Sequence, residues 1–351
     1  MQPQSIPTAL ILAFGALLAA FVNNILLHRM SSRLKDIEHQ HREEDALRSY
    51  RYDAKKRLYS ELGPLLFALT ECCEEARWRI GGIARSARDN QLGVGQQNRF
   101  RVGSDYMLST IYRLVLPLAI LRLVQQQLSR VDLSVDPSVW KLYFLAKLLR
   151  RTWNSGREVA LDRGVAYDYR KRSAEGVDAV SKQHVNMQRI DQLVDKMIAP
   201  ARGKQARSSV IRYSEFLDAY EDDGSDSLRL ACEPLERIFT GFHPERQEVL
   251  WQVLYIQYVL CGIIAHDTSR EAGGHPVDHE GVGRDFPASE RSLWQDIRND
   301  VLIWNAQPNS DRAISLFSPK EVQDCATEYI LSRLPNSFRV HNASQVSTRR
   351  R

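Results

Sequence analysis

The sequence predicts an all-α protein in which a single N-terminal transmembrane helix is followed by a multi-helix cytoplasmic body. Residues 6–27 form an uncharged apolar run that is long enough to cross a bilayer. The rest of the chain repeats its apolar residues at steps of three and four, which is the period of amphipathic helices. No convincing alternation of β-branched residues, the pattern typical of a strand, interrupts this period.

The predicted anchor is the run IPTALILAFGALLAAFVNNILL at residues 6–27. As a helix rising ~1.5 Å per residue it is about 33 Å long, slightly more than the ~30 Å hydrocarbon core of a bilayer. A cleaved signal peptide fits less well, because no Lys or Arg precedes Ile6 and no Ala-x-Ala site follows the run. The positive charges of Arg29, Arg33 and Lys35 follow it, which predicts that the N-terminus lies outside and the body in the cytoplasm.

Composition divides the chain into an anchor, a charged helical stalk, a basic helical domain, a second helical region and a disordered basic tail. These segments are residues 1–27, 28–46, 47–199, 200–335 and 336–351, respectively. The basic domain begins with a clear apolar stripe at helical spacing. Pro64 lies within this stripe and removes one backbone hydrogen bond, so a kink or a break of the helix is expected there.

Two further helices of the basic domain have recognisable starts. Ser104 precedes an apolar face that begins at Met107, and it is therefore the expected N-cap of that helix. Asp136 followed by Pro137 combines a capping residue with a proline in the first turn, which predicts a helix through about Val159.

Residues 249–265, VLWQVLYIQYVLCGIIA, are the most apolar stretch after the anchor. They contain no charge, but Gln252 and Gln257 interrupt them, and the stretch is at the lower length limit for a membrane span. We therefore expect a buried central helix of the second region rather than a second membrane segment.

The segments RLYSELGPLLFALTECCEEARWRI (residues 57–80) and STIYRLVLPLAILRLVQQQLSRVDLSVD (residues 109–136) resemble an uncharacterised bacterial family of all-helical, membrane-anchored proteins. Proteins of that family pair a helix that contains PLLF with a helix that contains TxYRLxxPLA and VDLSxD. The resemblance implies a helical fold and a bacterial source. With the predicted anchor, a bacterial source gives the bacterial inner (cytoplasmic) membrane as the expected location. The resemblance implies no activity, because none is assigned to that family, and no functional residue is transferred.

Positive charge is concentrated in one region, although the net charge of the chain is only +5. Residues 85–172 contain 16 Lys and Arg against 7 Asp and Glu. An anionic inner leaflet would attract such a region, whereas nucleic acid is a less favoured partner because no recognition motif accompanies the charge. A solvated, arginine-rich helical surface is an equally compatible interpretation.

The linker ARGKQARSSVIR, residues 201–212, is a second basic segment. It is interpreted first as an exposed loop and alternatively as a contact with an anionic lipid surface. The candidate contacts are Arg202, Lys204, Arg207 and Arg212.

Histidine and carboxylate residues crowd positions 266–285, and these side chains are ligands that divalent metals accept. The candidate metal ligands are His243, His266, Asp267, His275 and His279. The pair His266–Asp267 is similar to the His-Asp pair of the HD phosphohydrolases, in which a bound metal activates water against a phosphoester. A polar surface loop explains the same residues, because a single His-Asp pair arises by chance in a chain with nine His.

The sequence contains no P-loop, no G-x-S-x-G and no H-E-x-x-H motif, and its five Cys form no C-x-x-C pair. No cofactor is predicted apart from a divalent metal at the His/Asp-rich segment, bound either without catalysis or in the hydrolase alternative, and a non-catalytic role is favoured. We predict a membrane-tethered helical interaction or sensing module that self-associates, with the lipid bilayer and a protein partner or second copy as its partners. The alternatives are an HD-type hydrolase and the binding of anionic lipid or nucleic acid by residues 85–172.

Overall fold

The computed structural model describes residues 6–92, 99–154, 183, 185–200, 208–222, 224, 227–272, 286–306, 314, 316 and 320–334. These residues are mostly helical, as predicted. The chain forms two compact units, Met1–Arg57 and Leu58–Arg351.

The described helices are α1 (Ile6–Arg88), α2 (Asp105–Gln127), α3 (Pro137–Asn154), α4 (Met187–Lys196), α5 (Tyr213–Glu221), α6 (Leu228–Phe239), α7 (Glu248–Ala272), α8 (Phe286–Ala306) and α9 (Lys320–Leu331). Two short 3₁₀ turns, Leu128–Arg130 and Leu133–Val135, lie between α2 and α3. Strands β1 (Ile198–Ala199) and β2 (Ser209–Val210) pair antiparallel. Sequence analysis did not find this pair, because strands of two residues are too short to show alternation.

The described part of the first unit is the N-terminal portion of α1. Its described side chains between residues 28 and 57 are exposed, apart from the half-buried Ala54. Polar side chains one turn apart contact each other along this surface, as Arg42 does with Glu38 and His39 with Glu43. Exposed pairs at this spacing contribute only about 0.3–0.5 kcal/mol each, so the segment is a solvated helix.

Helix α1 continues through Pro64, so of the predicted kink or break the break is absent. A proline inside a helix costs about 3 kcal/mol through its missing N–H and its steric clash. Leu62, Leu66 and Leu69 beside it are buried, and their packing offsets this cost.

Both predicted helix starts in the basic domain are present. The Ser104 hydroxyl accepts a hydrogen bond from the Met107 N–H at 3.3 Å and caps α2. The Asp136 carboxylate accepts a hydrogen bond from the Ser138 N–H at 3.0 Å, directly before α3. Asp136 also accepts a hydrogen bond from the Tyr59 hydroxyl at 2.9 Å, which connects the start of α3 to α1.

Helix α7 is central to the second unit, where it packs against α3, α8 and α9. Every residue of α7 from Val249 to Ile264 is buried. One hydrophobic core surrounds it and takes side chains from helices on both sides of residue 200. The sequence led us to expect a buried helix at residues 249–265, and the structure buries this stretch.

Two described helices have the length and apolar composition of a membrane span: α2, and α7 over Glu248–Ala265. They are weak evidence of membrane association, because 83% and 89% of these windows are buried inside the protein, as in the core helices of soluble proteins. Most side chains of residues 6–27 lie outside the described part of the chain. The structure therefore does not show the predicted single N-terminal span.

Candidate functional site: an arginine groove

A groove of about 690 Å³ opens on the second unit, where the C-terminal part of α1 faces Arg99 and the N-terminal half of α2. We call it the arginine groove. It is lined by Glu75, Trp78, Arg79, Gly82, Arg85, Ser86, Asp89, Gln91, Arg99, Tyr106 and Arg113. Four arginines against two carboxylates leave a net charge of +2 on this lining.

Helical spacing explains why one side of α1 provides most of the lining. Residues three or four apart lie on the same face of a helix, and Trp78, Gly82, Arg85 and Asp89 follow each other at these steps. Gly82 has no side chain, and a Cβ added there would meet nothing within 4 Å. The bare backbone at Gly82 therefore leaves open space within the groove.

The Tyr106 ring positions two of the four guanidinium groups. The Arg79 Cζ lies 4.9 Å and the Arg99 Cζ 5.4 Å from the ring centroid, within the range of cation–π attraction. Phe100 packs edge-on against the same ring, with the centroids 5.2 Å apart. The ring is thus held in place by an aromatic neighbour while it orients two cations.

Serine hydroxyls complete the positioning of these two arginines. Arg79 Nη2 donates to Ser109 Oγ at 2.8 Å, and Arg99 Nη1 donates more weakly to Ser86 Oγ at 3.4 Å. The hydroxyls and the ring are all neutral, so these contacts orient the guanidinium groups without cancelling their charge.

Arg113 differs, because its Nε lies 3.5 Å from the Glu75 carboxylate. Burial, and next the nearby positive charge of Arg113, lower the pKa of Arg79. Arginine stays protonated in proteins, so this shift means that the Arg79 cation is in an unfavourable environment. An anion bound next to the Arg79 guanidinium group would relieve it.

The side chains of this lining are suited to binding an anion. A guanidinium group cannot act as a base, but it presents several N–H donors in a planar fork that matches phosphate and carboxylate oxygens. Over the described ranges, no three His, Cys, Asp or Glu side chains converge as metal ligands.

Of the predicted metal ligands, the structure describes the side chain of His243 and only the backbone of His266 and Asp267. His243 precedes α7, and its Nδ1 accepts a hydrogen bond from the Glu245 N–H at 3.4 Å. His266 and Asp267 lie near the other end of α7, and eighteen residues separate His266 from Glu248, the first residue of the helix. This separation is about 27 Å at ~1.5 Å per residue, too far for one metal ion to bind both ends.

The remaining metal candidates are His266, Asp267, His275 and His279. The side chains of His266 and Asp267, and the whole of His275 and His279, lie outside the described residues. Their role in metal binding stays a prediction.

Of the candidates for contact with an anionic surface, Arg212 is exposed at the start of α5, where its backbone N–H donates to Glu215 Oε2 at 2.7 Å. Arg202, Lys204 and Arg207 lie outside the described residues, between β1 and β2.

Sequence analysis found only part of the groove. The charge excess at residues 85–172 includes Arg85, Arg99 and Arg113, but not Trp78 or Arg79. The basic and aromatic face of α1 between residues 78 and 85 was the available signal, although it does not show which part of the chain faces it. No family model, no curated protein and no solved structure matches this chain.

Proposed function

We propose that this chain is a membrane-tethered helical interaction module that binds an anionic group in the arginine groove. The observation that carries the proposal is the orientation of Arg79 and Arg99 by neutral partners, the Tyr106 ring and two serine hydroxyls. Such preorganisation lowers the entropic cost of binding an anion. The ligand group is a phosphate or a carboxylate, because both match the guanidinium fork.

The tether is proposed to be residues 6–27, which cross the bacterial inner membrane once with the N-terminus outside and the body in the cytoplasm. Two features support it: the absence of charge across the run, and the helical backbone of α1 over these residues. The small residues Ala9, Ala13 and Ala16 recur on one face of this helix and would allow two copies to approach closely. Replacing Leu17 by Arg should release the chain from membranes washed with alkaline carbonate. Release of the unchanged chain by the same wash would contradict the tether.

Filling the groove with a side chain at Gly82 tests the anion site. The variant Gly82→Leu places a side chain in the open space, and it should fold normally because leucine favours a helix by up to about 1 kcal/mol over glycine. Pyrophosphate and citrate are titrated calorimetrically into the full-length chain in a non-ionic detergent. We expect wild-type binding that weakens with added salt, and at least a tenfold loss of affinity in Gly82→Leu.

The matched control is Ser60→Leu. Ser60 also lies in α1 and is exposed and uncharged, but it does not line the groove. This variant should bind both anions like the wild type. Unchanged binding in Gly82→Leu would place the site elsewhere, and no binding of either anion by the wild type would reject the proposal.

A further inference from the structure

We infer that the ligand of the arginine groove is a phosphate monoester that carries a planar aromatic ring, and that this ring stacks on the indole of Trp78. The inference rests on the proposed function and names the ligand class of the same site. Nucleoside monophosphates are the representatives of this class that we use as probes.

The charge and size of the groove favour an organic phosphate over a bare anion. Its lining has a net charge of +2, and a phosphate monoester carries about −1.5 to −2 at neutral pH. Its volume of about 690 Å³ lies within the range of roughly 300–1,000 Å³ that is typical of sites for organic ligands. A phosphate group alone would leave most of this space to water.

Trp78 provides an aromatic surface for the organic part. Its side chain is 58% exposed on the groove wall, whereas the other five tryptophans are buried or half-buried. The indole Nε1 donates to Glu74 Oε1 at 3.4 Å, which restrains the orientation of the ring. A restrained, solvent-facing indole suits a planar ring, because base–aromatic stacking strengthens binding without requiring a particular base.

The positions along α1 leave room for a ring next to this indole. Gly82 follows Trp78 by one turn on the same face, and the space beyond its backbone is open. Arg79 lies next to Trp78 in the chain, and its guanidinium group is directed to Tyr106 and Ser109. We therefore assign the phosphate to Arg79 and Arg99, and the ring to Trp78.

The test compares three probes on the full-length chain in a non-ionic detergent: adenosine 5′-monophosphate, ribose 5-phosphate and inorganic phosphate. Calorimetric titration should show that adenosine monophosphate binds at least about fivefold more tightly than ribose phosphate, in line with the roughly 5- to 160-fold gain of one stacked base. Trp78→Ala should remove this difference and leave the affinity for ribose phosphate unchanged.

The matched control is Phe67→Ala, which removes another exposed aromatic side chain of α1 that does not line the groove. It should leave the affinities for all three probes at their wild-type values. Equal binding of adenosine monophosphate and ribose phosphate, or a preference that persists in Trp78→Ala, would overturn the inference and leave the proposed anion site intact. A wild-type chain that binds none of the probes, and neither pyrophosphate nor citrate, would remove both proposals.

Discussion

Arg79 and Arg113 line the same groove, but their partners differ in charge. Arg79 is held by the neutral Ser109 hydroxyl and the Tyr106 ring, whereas Arg113 lies 3.5 Å from the Glu75 carboxylate. An incoming anion must compete with Glu75 for Arg113, and the negative charge of Glu75 also repels it. The carboxylate therefore weakens anion binding in the proposed site.

Replacing Glu75 by Gln should strengthen the binding of pyrophosphate about twofold to fivefold. Exposed ion pairs are worth roughly 0.2–1 kcal/mol, which sets this modest magnitude. The measurement is calorimetric titration of the full-length chain at two salt concentrations, and the gain should shrink at the higher one. Glu71→Gln is the control, because Glu71 is exposed on the same helix but does not line the groove. Equal gains in both variants would indicate a general charge effect and contradict a direct role of Glu75.

At the scale of helices, one buried amide connects three of them. Gln257 on α7 donates through Nε2 to the Leu114 carbonyl of α2 at 2.9 Å. Its Oε1 accepts a hydrogen bond from the Trp153 indole of α3 at 3.0 Å. Because Gln257 is fully buried and bonded on both sides of its amide, the polar residue that interrupts the apolar run has a structural role.

The variant Gln257→Leu should lower the free energy of unfolding by about 2–4 kcal/mol. It leaves the Trp153 N–H buried without this partner, at about 1–3 kcal/mol, and removes a second hydrogen bond of the helical Leu114 carbonyl, at about 1 kcal/mol. Chemical denaturation of the full-length chain in detergent measures the change. Gln295→Leu on the exposed side of α8 should stay within about 0.5 kcal/mol of the wild type. A similar small effect of Gln257→Leu would show that the two bonds are replaceable.

At the scale of the whole molecule, several ionisable groups are buried in their neutral form. Burial raises the pKa of the Cys73 thiol well above its ordinary value of 9.0. Burial, and next the Glu236 carboxylate, raise the pKa of Cys232. Burial and the hydrogen bond to Glu236 raise the pKa of Tyr220. In each case folding favours the protonated group, so the unfolded chain releases these protons at lower pH than the folded one.

The folded protein should therefore lose stability in alkaline solution. A raised pKa in the folded state gives stability that is complete below the pKa of the unfolded chain and declines as the pH rises above it. For Cys73 and Cys232 the decline begins near pH 9 and reaches at most about 1.4 kcal/mol per pH unit for each thiol. Tyr220 adds a similar decline above about pH 10.

Denaturant unfolding between pH 7 and 10.5 measures this slope. Cys73→Ala and Cys232→Ala should each flatten it above pH 9, whereas Cys325→Ala, at a half-buried thiol, serves as the control. A slope that is unchanged in both core variants would show that other groups cause the alkaline loss.

The amino-acid sequence by itself determined the helical class and the two helix starts at Ser104 and Asp136. These features depend on hydrogen bonds between residues two or three positions apart, so local composition suffices to predict them. It also predicted the buried character of residues 249–265, since an apolar run of this length must be covered. The anchor at residues 6–27 and the resemblance to a bacterial family stay predictions.

Only the tertiary structure decided what depends on distant parts of the chain. It carried α1 through Pro64, because core packing outweighs the lost backbone bond. It placed His243 before α7 and His266 near the other end of this helix, while the metal site itself stays a prediction. It also placed Arg79 against Tyr106 and Ser109, about thirty positions further along. Composition and spacing show which charged residues a chain contains. The packing of α1 against α2 decides which of them share a groove and which of them lie next to a carboxylate.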